Sequence, residues 1–503
     1  MNEKMNAFAR VGSILVLLFC NGLRAQAQEV TNEIKSLTLQ ECIGRALENN
    51  LEIRSERINP TIGTWGVVGA QGVYDPTLAG GINYSDSTVH SLTNGVPARE
   101  EQVLNPNLSL AGKLPTGATY DFTADDTRTS GNFPTNSIPN FLHTGSAQGQ
   151  LTQPILKNFG LSVNSALIRV ARSNRSVAIQ NFVQFVMSKI SDVSTAYYEL
   201  VYAIENHKAA LETRELAREL LDENRARAKI GTMSRLDVIQ AESGVASSEQ
   251  AVILTARTIK DSENTLKRLI CQHVAEFRDV SLLPVDYPVV HMIATDVDRS
   301  TRTALQMRAD YLSAKHSFES QNILVQFNRN QLLPELDLLG SYGWNGISRG
   351  GFSDFIDNTA SGHYPVWSAG VAVSFPIGNR QARANYHTAQ LQAQQQWLSV
   401  QQLEENILVQ VDNAVGHVET NLKSVEAAQA AKRLAQESLD AEKTKLLTGT
   451  STTFLVLQAQ SNLAAARSAE IRARADYSES MVALDLAEGT VLQKNNIQLD
   501  EKF

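Results

Sequence analysis

From Leu161 to Ile230 the chain runs for roughly 70 residues without one Gly or Pro, which as an unbroken α-helix would be about 105 Å long. Gly160 and Gly231 bound the run. Within it Val183, Val186, Ile190, Val193, Tyr197, Leu200, Ile204 and Leu211 recur on the alternating three-and-four spacing of a packed seam, interrupted at His207. A helix of that length outruns any single compact core, so its stripe has to be covered by other helices along most of its course.

A second run, Asn379 to Thr448, has the same length, no Pro and one Gly, Gly416. Its apolar set, Val400, Leu403, Ile407, Val411, Ala414, Val418, Leu422 and Val425, follows an eleven-residue repeat, which favours a straighter or slightly right-handed helix than a strict heptad does. Each run turns back at a Gly-Thr pair into another helix-like stretch, Ser234 to about Ile270 and Thr452 to about Glu488. Two long antiparallel helical hairpins follow, over 161–270 and 379–488.

The hairpins are copies of one unit. An offset of 218 places Gly231, Thr232, Val238, Gln240, Ala241 and Ser243 on Gly449, Thr450, Val456, Gln458, Ala459 and Ser461. Upstream, an offset of 258 brings Ala46, Leu47, Ser55, Val67, Pro76, Leu78 and Tyr84 onto Ala304, Leu305, Ser313, Val325, Pro334, Leu336 and Tyr342. Pro154-Ile155 matches Pro376-Ile377 at an offset of 222, so the first copy carries 36 extra residues between Tyr84 and Pro154. The chain divides into a leader (1–27), a first repeat (28–276), a linker (277–295), a second repeat (296–489) and a C-terminal tail (490–503). Thr38-Leu39-Gln40-Glu41 reads as a capping box opening the first helix, with Asp296 at the corresponding place in the second copy. Gly63, Gly66, Gly69 and Gly72, spaced by three, fit either a close-packed helix face or a partly unwound segment.

Between the helices the period changes to two. Tyr120, Phe122 and Ala124 alternate with Asp121, Thr123 and Asp125. Ala369, Val371, Val373 and Phe375 alternate with Gly370, Ala372 and Ser374, and Leu336, Leu338, Tyr342 and Trp344 with Asp337, Ser341 and Asn345. These are strands, in about 77–153 and 334–376, with one apolar face and one of small or polar residues; a soluble β-domain shows the same alternation, and what favours a lipid-facing wall around a watery lumen is its combination with an export signal and no membrane helix. Tyr84, Tyr120, Tyr342, Tyr364, Trp344 and Trp367 are candidates for interfacial girdles.

Lys4 and Arg10, the apolar run Val11–Cys20 and Ala25-Gln26-Ala27 have the order of a secretory signal cleaved after Ala27. Cys20 does not suit lipid attachment, because bulky Phe19 precedes it. No later stretch has the roughly 18 uncharged apolar residues of a membrane helix. The remaining Cys42 and Cys271 are too few for a disulfide framework and suit buried small positions. A net charge of -8 argues against a nucleic-acid surface. Gly112-Lys113 runs into Leu114 and lacks a phosphate loop's upstream glycine, Cys271-Gln272-His273 has no second ligand pair, and Glu404-Glu405 reads as a solvated helix face. No nucleophile-base pair assembles, so no catalytic residue, metal or cofactor is expected.

In Leu37-Thr38-Leu39 with Ala46-Leu47, Tyr74-Asp75-Pro76, Leu151-Thr152-Gln153-Pro154 and both Gly-Thr turns, nearly the whole mature chain resembles TolC-like outer-membrane efflux proteins. The resemblance implies a mainly α fold with β: a homotrimer with a 12-stranded barrel in the outer membrane, a 12-helix periplasmic tunnel and a surrounding belt. It implies a passive conduit of a tripartite efflux or type I secretion system, served by an inner-membrane pump and a periplasmic adaptor docking on the helical tips. Here those tips are Gly231, Thr232, Met233 and Gly449, Thr450, Ser451. In such proteins acidic rings often lie six and nine residues past the second glycine, where this chain has Leu455 and Gln458. The first copy has Asp237, near Arg235. The expectation is an apolar periplasmic gate at Phe454 and Leu455, with Asp237 tuning closure by ion pairing. The extra residues, with Asn107–Lys113 and Thr119–Asp125 about Leu114-Pro115-Thr116-Gly117, read as an added β-hairpin, expected as a surface loop rather than as part of the wall. The other class consistent with the pattern is a secreted filament subunit built of helical hairpins with a β-insert.

Overall fold

The computed structural model describes residues 34–89, 99–131, 141–287 and 296–499 of the 503-residue chain. The leader and its cleavage point at Gln28 lie outside them. In chain order the elements are β1 (Ile34–Leu37), α1 (Leu39–Asn49), α2 (Leu51–Glu56), α3 (Ile58–Gln71), β2 (Thr77–Val89), β3 (Arg99–Lys113), β4 (Thr119–Gly131), β5 (Phe141–Pro154), α4 (Leu161–Asn164), α5 (Ala166–Lys229) and α6 (Arg235–Ile270). The second half follows with β6 (Ser281–Pro284), α7 (Val297–Met307), α8 (Ala309–Asn330), β7 (Glu335–Ser348), α9 (Phe352–Ala360), β8 (Pro365–Ser374), α10 (Arg380–Leu447), α11 (Thr453–Glu488) and α12 (Val491–Lys494).

Both glycine-poor runs are helices of 64 and 68 residues, each folded back on a 36-residue partner. The seam positions Val186, Ile190, Val193, Tyr197 and Leu200 are buried, as are Val400, Ile407, Val411, Val418 and Val425. His207, the break in the first seam, faces α6 and pairs its Nδ1 with Thr255 Oγ1 at 2.9 Å. α5 and α10 run the length of the shaft. α8 and α11 pack between them at successive levels, and α3 and α6 line the other side of α5. At any level, therefore, the shaft of one chain is four helices wide. The capping box forms as the sequence predicts at Thr38–Glu41, and Asp296 caps α7 by accepting from the Asp298 and Arg299 amides without a reciprocal bond. α3 is continuous. A Cβ on Gly63 would lie 3.1 Å from Arg175 Cα, so this glycine permits close approach to α5, whereas Gly66 and Gly69 face open space.

The strands form one antiparallel sheet in the order β2-β3-β4-β5-β7-β8. This corrects the expected surface loop: β3 and β4, the added hairpin, lie inside the sheet. β3 pairs with β2 from Thr77↔Ala111 to Val89↔Arg99, and β4 with β5 from Thr119↔Thr152 to Ser130↔Phe141. The physical reason is that the alternation in Asn107–Lys113 and Thr119–Asp125 continues in phase with its neighbours, so β3 and β4 lengthen the ladder between β2 and β5 with each side chain on the matching face. One chain contributes six strands rather than the four a 12-stranded trimer needs.

The described part of the linker, residues 277–287, carries a strand. β6 pairs in parallel with β1, Ile34↔Ser281 to Leu37↔Pro284. Tyr197, fully buried on α5, clasps this pair: its hydroxyl donates to Leu37 O at 3.1 Å and accepts from the Asp286 and Val285 amides at 2.9 and 3.1 Å. The tail returns to the same cluster, with Val491 buried and Ile497 and Leu499 packed against it. Cys42 and Cys271 are buried free thiols there, and burial pushes Cys42 up to about 12. Tyr197→Phe removes the acceptor of the part-buried Asp286 amide and the donor to Leu37 O and should cost about 1–2 kcal/mol, read as a lower denaturant midpoint at unchanged slope. An unchanged midpoint would show that the clasp contributes nothing.

Candidate functional site: the sheet and the hairpin tips

The sheet sorts its side chains by register. Leu78, Leu110, Phe122, Gly149, Tyr342 and Trp367 are successive cross-strand partners, so they form one row over all six strands. Ile82, Tyr84, Leu108, Leu151, Trp344, Val371 and Val373 extend this apolar face. The neighbouring rows belong to the other face, which carries Asn105, Asn107, Ser109, Asp121, Thr123, Asp125, Ser146, Gln148, Ser341 and Ser368. Those groups satisfy one another in part: Asn105 Nδ2 donates to Thr127 Oγ1 at 2.6 Å, Ser146 Oγ to Asp125 Oδ1 at 2.7 Å, and the Ser341 and Ser368 hydroxyls lie 2.7 Å apart. In the single chain Ile82 is 79% and Trp367 72% exposed, an apolar surface that water does not tolerate and lipid does. Among the described residues no helix is long and apolar enough to cross a membrane.

Away from the helices the apolar face meets polar groups. His143 Nδ1 and Asp126 Oδ2 pair at 2.8 Å, both nearly buried. α9 covers them, with the Phe352 and Phe355 rings 6.4 and 6.3 Å from the imidazole and Phe141 at 5.9 Å on the strand itself. The helix covers this hydrogen-bonded polar pair on the apolar face of the sheet.

At the opposite end of the molecule are the hairpin turns. Gly231 and Gly449 take φ of 81° and 78°, the left-handed conformation that ends a helix cheaply only for glycine. The repeated threonines share a role. The Thr232 amide and hydroxyl both donate to Arg227 O at 3.0 Å, and those of Thr450 to Lys445 O at 2.9 and 3.2 Å, closing the last turn of α5 and of α10. Gly231, Thr232, Gly449 and Thr450 are exposed. Met233 and Ser451 are half-buried, Met233 against the tip core of Leu220, Leu439, Leu446 and Val456, and Ser451 donating to Glu442 at 2.7 Å. Asp237 lies in a capping box with Ser234, whose hydroxyl donates to it at 2.6 Å and holds its carboxyl below the usual range. Phe454, Leu455, Gln458 and Arg235 are exposed on the first turns of the returning helices.

Six polar links tie α5 to the second hairpin over about 42 Å of its length at 1.5 Å per residue. In order toward the tip they are Glu199–Arg472 and Glu212–Arg467 at 2.8 Å, Leu216 O with Gln460 at 3.1 Å, Glu219–Lys443 at 3.4 Å, Asn224–Thr453 at 3.1 Å and Arg227 with Leu446 O at 3.2 Å. Nothing in the local pattern announces them, because each joins residues more than two hundred positions apart. The first link is the most crowded: Arg472 also contacts Asp476 and Glu479. Burial, offset by Arg472, pushes Glu479 up to about 7.

The amphipathic sheet and paired helical shaft define a membrane-inserted duct wall. The family model described as "Outer membrane efflux protein" matches residues 116–272 and 301–490. This chain belongs to that family, whose members are channel proteins rather than enzymes, and it is an outer-membrane efflux channel. It is 24% identical over 458 residues to the outer membrane efflux protein BepC of Brucella suis biovar 1, covering 90% of this chain and 86% of BepC. It is 23% identical over 358 residues to nodulation protein T of Rhizobium leguminosarum bv. trifolii, covering 69% and 72%. The fold is that of solved channels: OprN (TM-score 0.68, 16% identity, 90% of each chain), CmeC of Campylobacter jejuni (0.65, 18%, 92% of this chain and 90% of that) and MtrE of Neisseria gonorrhoeae (0.61, 21%, 90% and 89%). The filament reading has no support beside these.

Because the folded pKa of Glu479 lies above its unfolded value, its contribution to stability is fully present below about pH 4.5 and is lost as pH rises to about 7. Across that window the thermal midpoint of the native protein should fall relative to that of Glu479→Gln; parallel curves would refute the assignment. Gly231→Ala and Gly449→Ala should each cost about 1–2 kcal/mol through the left-handed turn, measured by denaturation, with no loss if the turns re-form otherwise.

Proposed function

We propose that three copies of the chain close into one duct in the outer membrane, the sheets forming a barrel and the hairpins a periplasmic tunnel, and that cargo passes through it passively. The observation that carries this is the single apolar row across a sheet with open edges at β2 and β8. Hydrocarbon offers unpaired backbone groups no partner, so the edges must pair between copies. The leader 1–27 directs export, with the mature chain beginning at Gln28. The exposed turns at Gly231-Thr232 and Gly449-Thr450 are the docking points for a periplasmic adaptor linked to an inner-membrane pump. The threonine hydroxyls serve the turn, so docking rests on backbone and shape.

Constriction at the tip is apolar, through Phe454 and Leu455. Asp237 is engaged by Ser234 within its own helix start, which leaves it a stabilising role there. Purified protein should run as a heat-sensitive trimer from the outer-membrane fraction; a monomer in mild detergent would refute the duct. In planar bilayers Leu455→Ser should raise single-channel conductance several-fold while Asp237→Asn leaves it unchanged. Divalent-cation block abolished by Asp237→Asn and untouched by Leu455→Ser would place the gate at the acid instead.

A further inference from the structure

The added hairpin changes the calibre of the barrel. Its periplasmic turn is tied into the junction with the helices: the Gly160 amide donates to Thr116 O at 3.0 Å and the Thr116 hydroxyl to Gln153 Oε1 at 3.2 Å. Gly117 has a φ of 98°, and a Cβ there would overlap Asn158 O. Ala118 is buried. These contacts put the turn against the loop that starts the long helix, at the level where β2, β5, β7 and β8 also begin or end. β3 and β4 then continue the two-faced pattern through the full height of the sheet, with Leu108, Leu110 and Phe122 on the apolar side and Asn107, Ser109 and Thr123 on the polar side. Six alternating strands leave β2 and β8 running in opposite directions, so β8 of one copy meets β2 of the next as an antiparallel neighbour.

Strands lie about 4.8 Å apart and tilt by about 40° in a barrel, so four strands span an arc of about 25 Å and six about 38 Å. The shaft of one chain is four helices wide, which at about 8–10 Å between axes is about 32–40 Å. Six strands match the shaft, and four fall short of it.

We propose that β3 and β4 belong to the transmembrane wall and that three sheets close edge to edge, β8 to β2, into a barrel of 18 strands with the calibre of the helical tunnel beneath it. This rests on the trimeric duct proposed above. Three such arcs give a backbone diameter of about 36 Å, half as wide again as 12 strands. The exit then sets no size limit of its own, and selection by size falls to the periplasmic tip.

In a background with Cys42 and Cys271 replaced by alanine, single cysteines at Leu108, Ser109, Phe122 and Thr123 would carry an environment-sensitive fluorophore in trimers reconstituted into phosphatidylcholine vesicles. Labels at 108 and 122 should be quenched by spin-labelled lipid, and those at 109 and 123 by iodide. Iodide quenching at all four, with none by lipid, would make the hairpin a surface loop and overturn the proposal. Imaging of the same trimers by electron cryo-microscopy should count 18 strands; an alternating quench pattern with any other count overturns the matched calibre. A variant lacking residues 99–131 keeps β2 and β5 antiparallel, with Leu78 facing Gly149. Its barrel should be about two-thirds as wide, and an equal width would also refute the proposal. Failure of the trimer itself shows on the gel beforehand, as a missing heat-sensitive band, and would sink the duct reading separately.

Discussion

Backbone amides and carbonyls that face hydrocarbon must be paired, and that requirement organises the rest of this molecule. It forces the strands into a continuous ladder and makes any open edge an assembly surface. It also explains α9, which covers the Asp126–His143 pair where the apolar face gives way to polar residues. Water imposes the complementary condition on the shaft. Its helices are individually only weakly apolar, so each seam has to find a neighbouring helix along its whole length, and the hairpins supply the first such neighbour within the chain.

Tandem duplication gives the molecule near-symmetry, and the departures from it are where the two halves take different tasks. Both repeats end their long helix in the same glycine turn with a threonine closing the last carbonyls. The returning helix then starts on a full capping box at Ser234–Asp237 in one and on Thr452 alone in the other. The second copy thereby exposes Phe454 and Leu455 at a place where the first commits an acid to its own helix. The sheet is asymmetric too, with four strands from the first copy and two from the second.

Much of this was legible from periodicity. The helices, the turns, the two-residue alternation and the offset repeats are local signals, and the helix limits read from glycine fall within a few residues of those observed. What was hidden depends on long-range pairing. The strand alternation at Asn107–Lys113 was visible, but whether a hairpin joins a wall or stands out from it is decided by register with β2 and β5. β6 is four residues paired to a strand some 250 positions earlier, too short to leave a pattern. The Tyr197 hydroxyl and the links from Glu199 to Arg227 likewise depend on which residues meet across elements. At the tip, Asp237 looked like a charge near a pore, and only the geometry assigns it to Ser234.

The return of the segment after α12 couples the two repeats. Val491, Ile497 and Leu499 complete the cluster around Tyr197 and Cys42, and the Gln40 amide donates to Asn495 at 3.0 Å. The apolar flank of the first repeat is therefore covered by residues that follow the second, so the first repeat has no complete core of its own. Duplication here has produced one folding unit rather than two independent halves.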